Sequence, residues 1–246
     1  MLEMNRCDTV ERSRGSFRHE TGLLSSVCLL GDLGPEQLTA VEQACRYKRF
    51  AAQEQIIDRD SVTTDVFFVV RGSVRVVNYS ILGREIAFDE VTEGNYFGEL
   101  SALDGQPRSA SVMALEDTLI LALPRGLFLN LLSEHPKISL QVMMRLARIV
   151  RTADERIMDL STLAAHNRVH AELLRQARIQ MVGERSARIE PVPVHSDIAS
   201  RVSTTRETVA RVLSDLARKG IVERTKDALV IHNLGRLRNM VQEVRG

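Results

Sequence analysis

Between residues 47 and 123 the apolar positions fall in short runs of β-forming residues separated by turn formers. Runs at 66–71 and 74–79 flank Gly72, a run at 84–91 follows Gly83, and runs at 109–115 and 118–123 flank Glu116-Asp117. Many short strands with a turn about every ten residues predict a jelly roll or barrel. One short helix, at 35–44, precedes the roll, with Pro35 at a favourable first-turn position. Another is expected over 124–132. The first 22 residues form a polar arm with little to bury, and disorder is the expectation there.

Beyond this region the period changes. From Lys137 to Val182 there are 46 residues without glycine or proline, too long for one ordinary globular helix. Two helices with a break near 162–167 are therefore predicted. In the first, Val142, Leu146, Ile149, Ala153, Ile157, Leu160 and Ala164 are spaced 4, 3, 4, 4, 3 and 4 apart, the narrow stripe of a two-helix coiled coil. The alternative is that the stripe packs on the chain's own β-domain. Arg145, Arg148, Arg151, Asp154, Glu155 and Arg156 crowd its flanks as interhelical charges do, which favours a homodimer through residues 138–164.

Near the end, segments 196–202 and 205–216 read as two short helices around a turn at Ser203-Thr204, the first capped by Ser196. In the second, Val209, Val212, Leu213 and Leu216 make an apolar face. Gly220 ends it, and 221–224 with 228–231 form a two-stranded wing around Thr225-Lys226-Asp227.

Charge sharpens this division. From His166 onward there are 15 Lys and Arg against 9 Asp and Glu, a net of +6, while the remainder carries 18 and 23, a net of −5. The near-neutral total of +1 hides an acidic first part and a basic last part, which suggests a polyanion partner for the latter. All ten Phe and Tyr lie at or before Phe128, so the last third must build its core from aliphatic residues. Four parts result: an arm (1–22), a β-domain (23–135), a dimerisation helix and hinge (136–165) and a C-terminal domain (166–246). No apolar run approaches the ~18 residues of a membrane span. The run 23–30 is short and lacks a small-residue cleavage site, so no signal peptide is expected. Three widely spaced cysteines, Cys7, Cys28 and Cys45, suit neither a disulfide framework nor a metal cluster, and a cytoplasmic location is the default.

The stretch Phe97-Gly98-Glu99-Leu100 through Pro107-Arg108-Ser109-Ala110 carries the most chemistry. Gly98 lets backbone approach a ligand closely, and the residues after it can open a short helix whose free N–H groups suit an anion. Arg108 offers a fixed fork of donors for a phosphate. Glu99 beside that anion calls for a hydroxyl or the arginine as its partner. Phosphate, hydroxyl and apolar wall together describe a nucleotide.

These residues resemble the phosphate-binding cassette of cyclic-nucleotide-binding domains. The resemblance implies that Glu99 binds the ribose 2′-OH, Arg108 the cyclic phosphate, and Gly98, Leu100 and Ser109 complete the cradle. The later stretch Arg206-Glu207-Thr208-Val209-Ala210-Arg211 is similar to the recognition helix of the winged helix-turn-helix in the catabolite-activator/fumarate-nitrate-regulator (CRP/FNR) superfamily. The two resemblances occur in that family's order and cover about residues 23–235. The family fold is α+β: an N-terminal β jelly roll that binds a cyclic nucleotide, a long dimerisation helix, and a C-terminal winged helix-turn-helix domain. It implies a homodimeric, cytoplasmic regulator that reads a palindrome resembling TGTGA-N6-TCACA when cyclic AMP is bound, with double-stranded DNA and RNA polymerase as partners. Its DNA contacts would be Arg206 and Glu207 to bases, Arg211 to another base edge or a phosphate, and Ser196, Thr205 and Lys226 to the backbone.

One departure from the family pattern bears on the effector. The positions that contact adenine in the family's cyclic-AMP receptors fall on Ala153 and Asp154, beside Thr152. A carboxylate pairs well with the two parallel donors of guanine, so cyclic GMP rivals cyclic AMP; an interhelical salt bridge is the plain alternative for Asp154. A ligand-independent member of the family is a further reading. A cupin-like metal enzyme on the same jelly roll is disfavoured, because residues 23–134 contain no histidine. His166 and His170 share a helix face but lack a third ligand, and are read as surface residues. No catalytic residue and no metal are expected.

Overall fold

The computed structural model describes residues 22–81, 83–179, 181–182 and 185–245, so the N-terminal arm lies almost wholly outside the described residues. The helices are α1 (Pro35–Ala44), α2 (Glu99–Asp104), α3 (Arg125–Glu134), α4 (Pro136–Thr162), α5 (Ala165–Ile179), α6 (His195–Arg201), α7 (Arg206–Arg218) and α8 (Leu234–Arg245). The strands are β1 (Arg46–Phe50), β2 (Gln55–Ile57), β3 (Val66–Arg71), β4 (Ser73–Tyr79), β5 (Glu85–Thr92), β6 (Tyr96–Phe97), β7 (Ser111–Ala114), β8 (Thr118–Leu123), β9 (Met181–Val182), β10 (Ser186–Ile189), β11 (Val222–Arg224) and β12 (Leu229–Ile231). The fold is α+β. Two compact units result, one from residues up to 78 and 88–146, the other from 79–87 and 147–246.

The first unit is a roll of two four-stranded sheets, ordered β1-β8-β3-β6 and β2-β7-β4-β5. Strands β3 and β8 pair antiparallel, with Phe67 opposite Ala122 and Phe68 opposite Leu121. Apart from Arg71 and Thr118 at their ends, their sequences are apolar rather than alternating, because the sheet is covered on both faces. Phe67, Val69, Ile120 and Ala122 point into the core between the sheets, with Phe97 and Val112. Phe68, Leu119, Leu121 and Leu123 point the other way, into a core closed by Phe128, Ile138 and Val142 of α3 and α4. Strand period two thus feeds two cores from one strand. Cys45 is buried; burial, then Glu42, pushes its thiol up to about 12, so it behaves as a small apolar residue. Cys28 is not a free thiol.

The coiled-coil expectation needs correction at its start. Ile138 and Val142 are buried in the first unit's own core, and Leu146 packs against it. The apolar side chains that α4 leaves exposed are Leu140, Met143, Met144, Val150, Ile157, Met158 and Leu160, with Ile149 at the margin. Of the predicted stripe, Val142 and Leu146 are taken up by that core while Ile149, Ala153, Ile157 and Leu160 stay exposed, and Met143 and Val150 join Ile157 in a free period-seven row. The helix ends at Thr162 and α5 opens at Ala165, inside the predicted break.

In the second unit the sheet β11-β12-β10-β9 lies with helices α5 to α8 around an aliphatic core of Val169, Leu173, Ile198, Val209, Leu216 and Leu237. No helix among the described residues is long and apolar enough to cross a membrane, and no group of three potential metal ligands occurs among them.

Candidate ligand cradle and DNA-reading face

Gly98 sits between β6 and α2 with φ 85°, a left-handed conformation that glycine adopts at little cost. A Cβ there would lie 2.7 Å from Arg108 Nη1 and 3.0 Å from the Asp65 carbonyl. The glycine therefore serves close approach as well as the turn. Gly105, also left-handed, ends α2, and Arg125 Nε donates to the Ala102 carbonyl at 2.8 Å near that end.

Arg108 is 3% exposed. Its Nε donates to Thr63 Oγ1 at 3.0 Å, Nη1 to the Gly98 carbonyl at 3.0 Å and Nη2 to the Asp65 carbonyl at 2.7 Å. Its carbon centre lies 5.3 Å from the Phe67 ring centroid. Burial lowers its pKa from the usual arginine value, Asp65 and Glu99 oppose that shift, and the group remains a cation. The loop around it is tied by main-chain bonds, Arg108 N–H to the Ser61 carbonyl and Asp60 N–H to the Arg108 carbonyl, each 2.9 Å.

Glu99, in the first turn of α2, is also buried. Its nearest cation is Arg145 of α4, with Nε 3.6 Å from Glu99 Oε1, Nη2 3.7 Å from Asp89 Oδ2 and the guanidinium 4.8 Å from the Tyr96 ring centroid. Arg145 Nε is buried without a hydrogen-bond partner, as is Asn78 Oδ1 near Ser109. Orphaned buried polar atoms are rare in folded proteins, and two beside one cradle fit a site built for a polar ligand. Gly98, Glu99, Leu100, Arg108 and Ser109 thus come together within the first unit, Leu100 and Ser109 being exposed. Thr152, Ala153 and Asp154 are exposed residues of α4 in the second unit.

Sequence reasoning missed Thr63, Asp65, Asn78 and Arg145. Thr63 and Asp65 precede β3, far from the cassette in sequence and without a local signal. Arg145 was read as a flanking charge of the coil, yet its side chain is only 16% exposed.

The second constellation is the helix pair α6 and α7. Val194, not Ser196, precedes α6, and no side chain caps that helix. Ser196 lies exposed in its first turn. Thr205 is the N-cap of α7, its hydroxyl accepting from Thr208 N–H at 3.3 Å. Arg206, Glu207 and Arg211 stand exposed on the first two turns, and Lys226 is exposed in the wing turn, where Thr225 N–H donates to the Ala228 carbonyl. Glu207 is held below the usual carboxylate range by its own backbone N–H and by Thr205, with Arg206 and Arg211 adding to this. Burial, then Arg224 and Arg206, depress the pKa of His195 at the start of α6.

Beneath these helices Arg168 donates to the carbonyls of Leu163, Val202 and Ser203 at 2.9, 2.9 and 3.1 Å, tying the α4–α5 break to the helix-turn-helix turn. A buried network continues inward. Arg175 holds Asp159 at 2.6 Å and Glu172 at 3.0 Å, and Arg201 lies 3.8 Å from Glu172. Burial raises Glu172, but Arg175 and Arg201 outweigh it and leave the carboxyl below its usual range. His170 is buried rather than on the surface, correcting the expectation. Burial, then His166 and Lys219, pushes its pKa down to about 4.

Comparison with known proteins bears on both constellations. A cyclic nucleotide-binding domain model matches residues 47–135, and a Crp-like helix-turn-helix domain model matches residues 167–240. A cyclic AMP receptor protein from Thermus thermophilus is 32% identical over 194 residues, which covers 79% of this chain and 87% of the relative. The chain belongs to the CRP/FNR superfamily of transcription regulators. A CRP-like cAMP-activated global transcriptional regulator from Mycobacterium tuberculosis is 27% identical over 173 residues, covering 70% of this chain and 77% of its own. A solved structure of a CooA mutant from Carboxydothermus hydrogenoformans shares the fold, with a TM-score of 0.75 at 24% identity over 90% of this chain and 96% of that one. Regulators of this CRP family bind DNA and act as dimers, and the protein is a regulator rather than an enzyme.

Proposed function

We propose that this CRP-family regulator is a homodimer whose affinity for a palindromic DNA site rises when a cyclic nucleotide occupies the cradle of Gly98, Glu99, Leu100, Arg108 and Ser109. One observation carries the reading: a buried guanidinium at the start of a short helix, beside a buried carboxylate and two orphaned polar atoms. Arg108 and the Leu100 and Ser109 backbone hold the phosphate, and Glu99 accepts from the ribose 2′-OH. Cyclic AMP is the effector we assign. Cyclic GMP is the second reading, favoured by the carboxylate at Asp154, and Asp154→Ser then shifts the ratio of affinities toward cyclic AMP.

The free row Met143, Val150 and Ile157 on α4 is the dimer seam, within the 138–164 stretch. The division into roll, dimer helix with hinge at 136–165, and reading domain from 166 follows. Binding shifts the DNA-competent state only so far as the nucleotide prefers that state. The segment from Leu160 to Asn167, held by Arg168, is the bistable element. In the reading head Arg206 takes guanine O6 and N7, Glu207 accepts from cytosine N4, and Arg211 reaches a further base edge or a phosphate. Ser196, Thr205 and Lys226 contact phosphates. The two half-sites of TGTGA-N6-TCACA lie about one helical turn, ~34 Å, apart.

Parallel titrations with cyclic AMP and cyclic GMP, reading affinity for this palindrome, test the proposal. Tightening with one nucleotide supports it. Equal DNA binding with and without both makes the protein a constitutive member of the family instead.

A further inference from the structure

We infer that Asn78 is a specificity-determining contact of the cradle, its amide carbonyl accepting an N–H from the base of the bound nucleotide. The inference rests on the cyclic-nucleotide reading of the cradle. Asn78 is the second-last residue of β4. Strand alternation places it on the same face as Val74 and Val76, which pack into the core around Phe67 and Phe97. The Phe67 ring also backs Arg108, so this amide stands on an apolar face that leads to the cradle.

Its Nδ2 donates to the Ser109 carbonyl at 3.3 Å, next to Arg108. A carbonyl can only accept, so the partner settles which end of the amide faces it. The other end, Oδ1, is buried and receives no hydrogen bond. A buried acceptor without a donor is a costly feature, and here it calls for a ligand that brings one.

Counting donors identifies that ligand group. A 3′,5′-cyclic phosphate ties up two sugar oxygens, and its phosphate carries no proton at neutral pH. The 2′-OH is then the single donor outside the base, and Glu99 takes it. Two buried acceptors and one hydroxyl leave Asn78 for the base: the amino group of adenine, or the N1–H or amino group of guanine. Asn78 selects for a base that bears such a donor. It also fixes Ser109 through its own amino group, so the residue that reads the base is joined to the residue beside the phosphate.

Calorimetric titration of the full-length protein tests this with three probes: cyclic AMP, the purine riboside 3′,5′-cyclic monophosphate that has hydrogen in place of the amino group, and 2′-deoxy cyclic AMP. The wild type should bind the amine-free analogue about tenfold more weakly than cyclic AMP. Asn78→Val should weaken cyclic AMP about tenfold and the amine-free analogue hardly at all, so their ratio falls to near one. The penalty for removing the 2′-OH should not change. Asn78→Asp, which keeps an acceptor while losing the Ser109 contact, should retain the discrimination and gives a second test if the valine variant does not fold. Equal weakening of all three probes by Asn78→Val, or a wild-type ratio near one, overturns the inference while the cradle reading stands. No binding of any cyclic nucleotide by the wild type overturns both.

Discussion

Arg108, proposed above to hold a cyclic phosphate, and Arg206, proposed to read a base, carry the same guanidinium, yet the protein holds them in opposite ways. Arg108 is 3% exposed and makes three hydrogen bonds to its own chain. Arg206 stands in water on the first turn of α7, above a helix whose other face is apolar. A small anion offers few contacts, so its site must be desolvated and ordered in advance for each contact to count. A duplex brings a charged surface of its own, and side chains reading it gain by staying hydrated until it arrives. The cradle is therefore built into the core of the roll, while the reading head is laid on a finished surface.

The comparison breaks most severely at Arg108. Because the cradle arginine is part of the core, Arg108→Ala should both abolish cyclic-nucleotide binding and destabilise the first unit by about 3 kcal/mol, since two carbonyls and a hydroxyl lose their donor. Calorimetry and thermal melting measure the two effects. A variant that melts like the wild type would show that Arg108 is held for the ligand alone.

Beneath the reading head, His170 supplies the next largest effect. Its folded pKa of about 4 lies below the ordinary 6.5, so the unfolded chain takes up the proton first as pH falls. The stability present above pH 6.5 is lost progressively down to about pH 4, a change of about 3 kcal/mol from this one group. Denaturant titrations from pH 7 to 4 should show His170→Leu falling less steeply than the wild type. Parallel slopes would remove His170 from the acid response.

On the surface the effects are smaller and concern DNA alone. Arg206→Ala should cost about 1–3 kcal/mol at one guanine and relax preference there, with stability unchanged within about 0.5 kcal/mol. Binding-site selection on both proteins decides this, and an identical selected palindrome would exclude Arg206 from base reading. Lys226→Ala should weaken all sequences alike and lower the salt slope by about 1. A loss confined to one sequence, read in affinity measured at several salt concentrations, would contradict a phosphate contact.

Local pattern carried much of this architecture. Strands β3 and β8 and helix α1 lie at the expected residues, because apolar runs, turn formers and a first-turn proline act within a few residues of themselves. Strand β1 was not delimited, since Arg46-Tyr47-Lys48-Arg49 is charged and exposed along a sheet edge. Helix α8, opening at Leu234-Gly235, was also missed; its buried Leu234, Leu237 and Val241 acquire meaning only beside the rest of the second unit. The motif residues Gly98, Glu99, Arg108, Arg206, Glu207 and Arg211 were legible because their type and spacing are local.

What the sequence alone determined, then, is the order of elements, the two charge regimes and the residues to which the chemistry is assigned in the proposal. Tertiary structure decided which apolar residues of α4 stay free. Val142 and Met143 are adjacent and similar in character, yet one is 2% and the other 57% exposed. It also decided that Arg145 faces Glu99, that Arg108 rests on Thr63 and Asp65, and that the carbonyl of Asn78 is left without a donor. Each of these depends on residues tens of positions apart meeting in space, and a helix or strand period encodes which face a side chain takes, not what waits on that side.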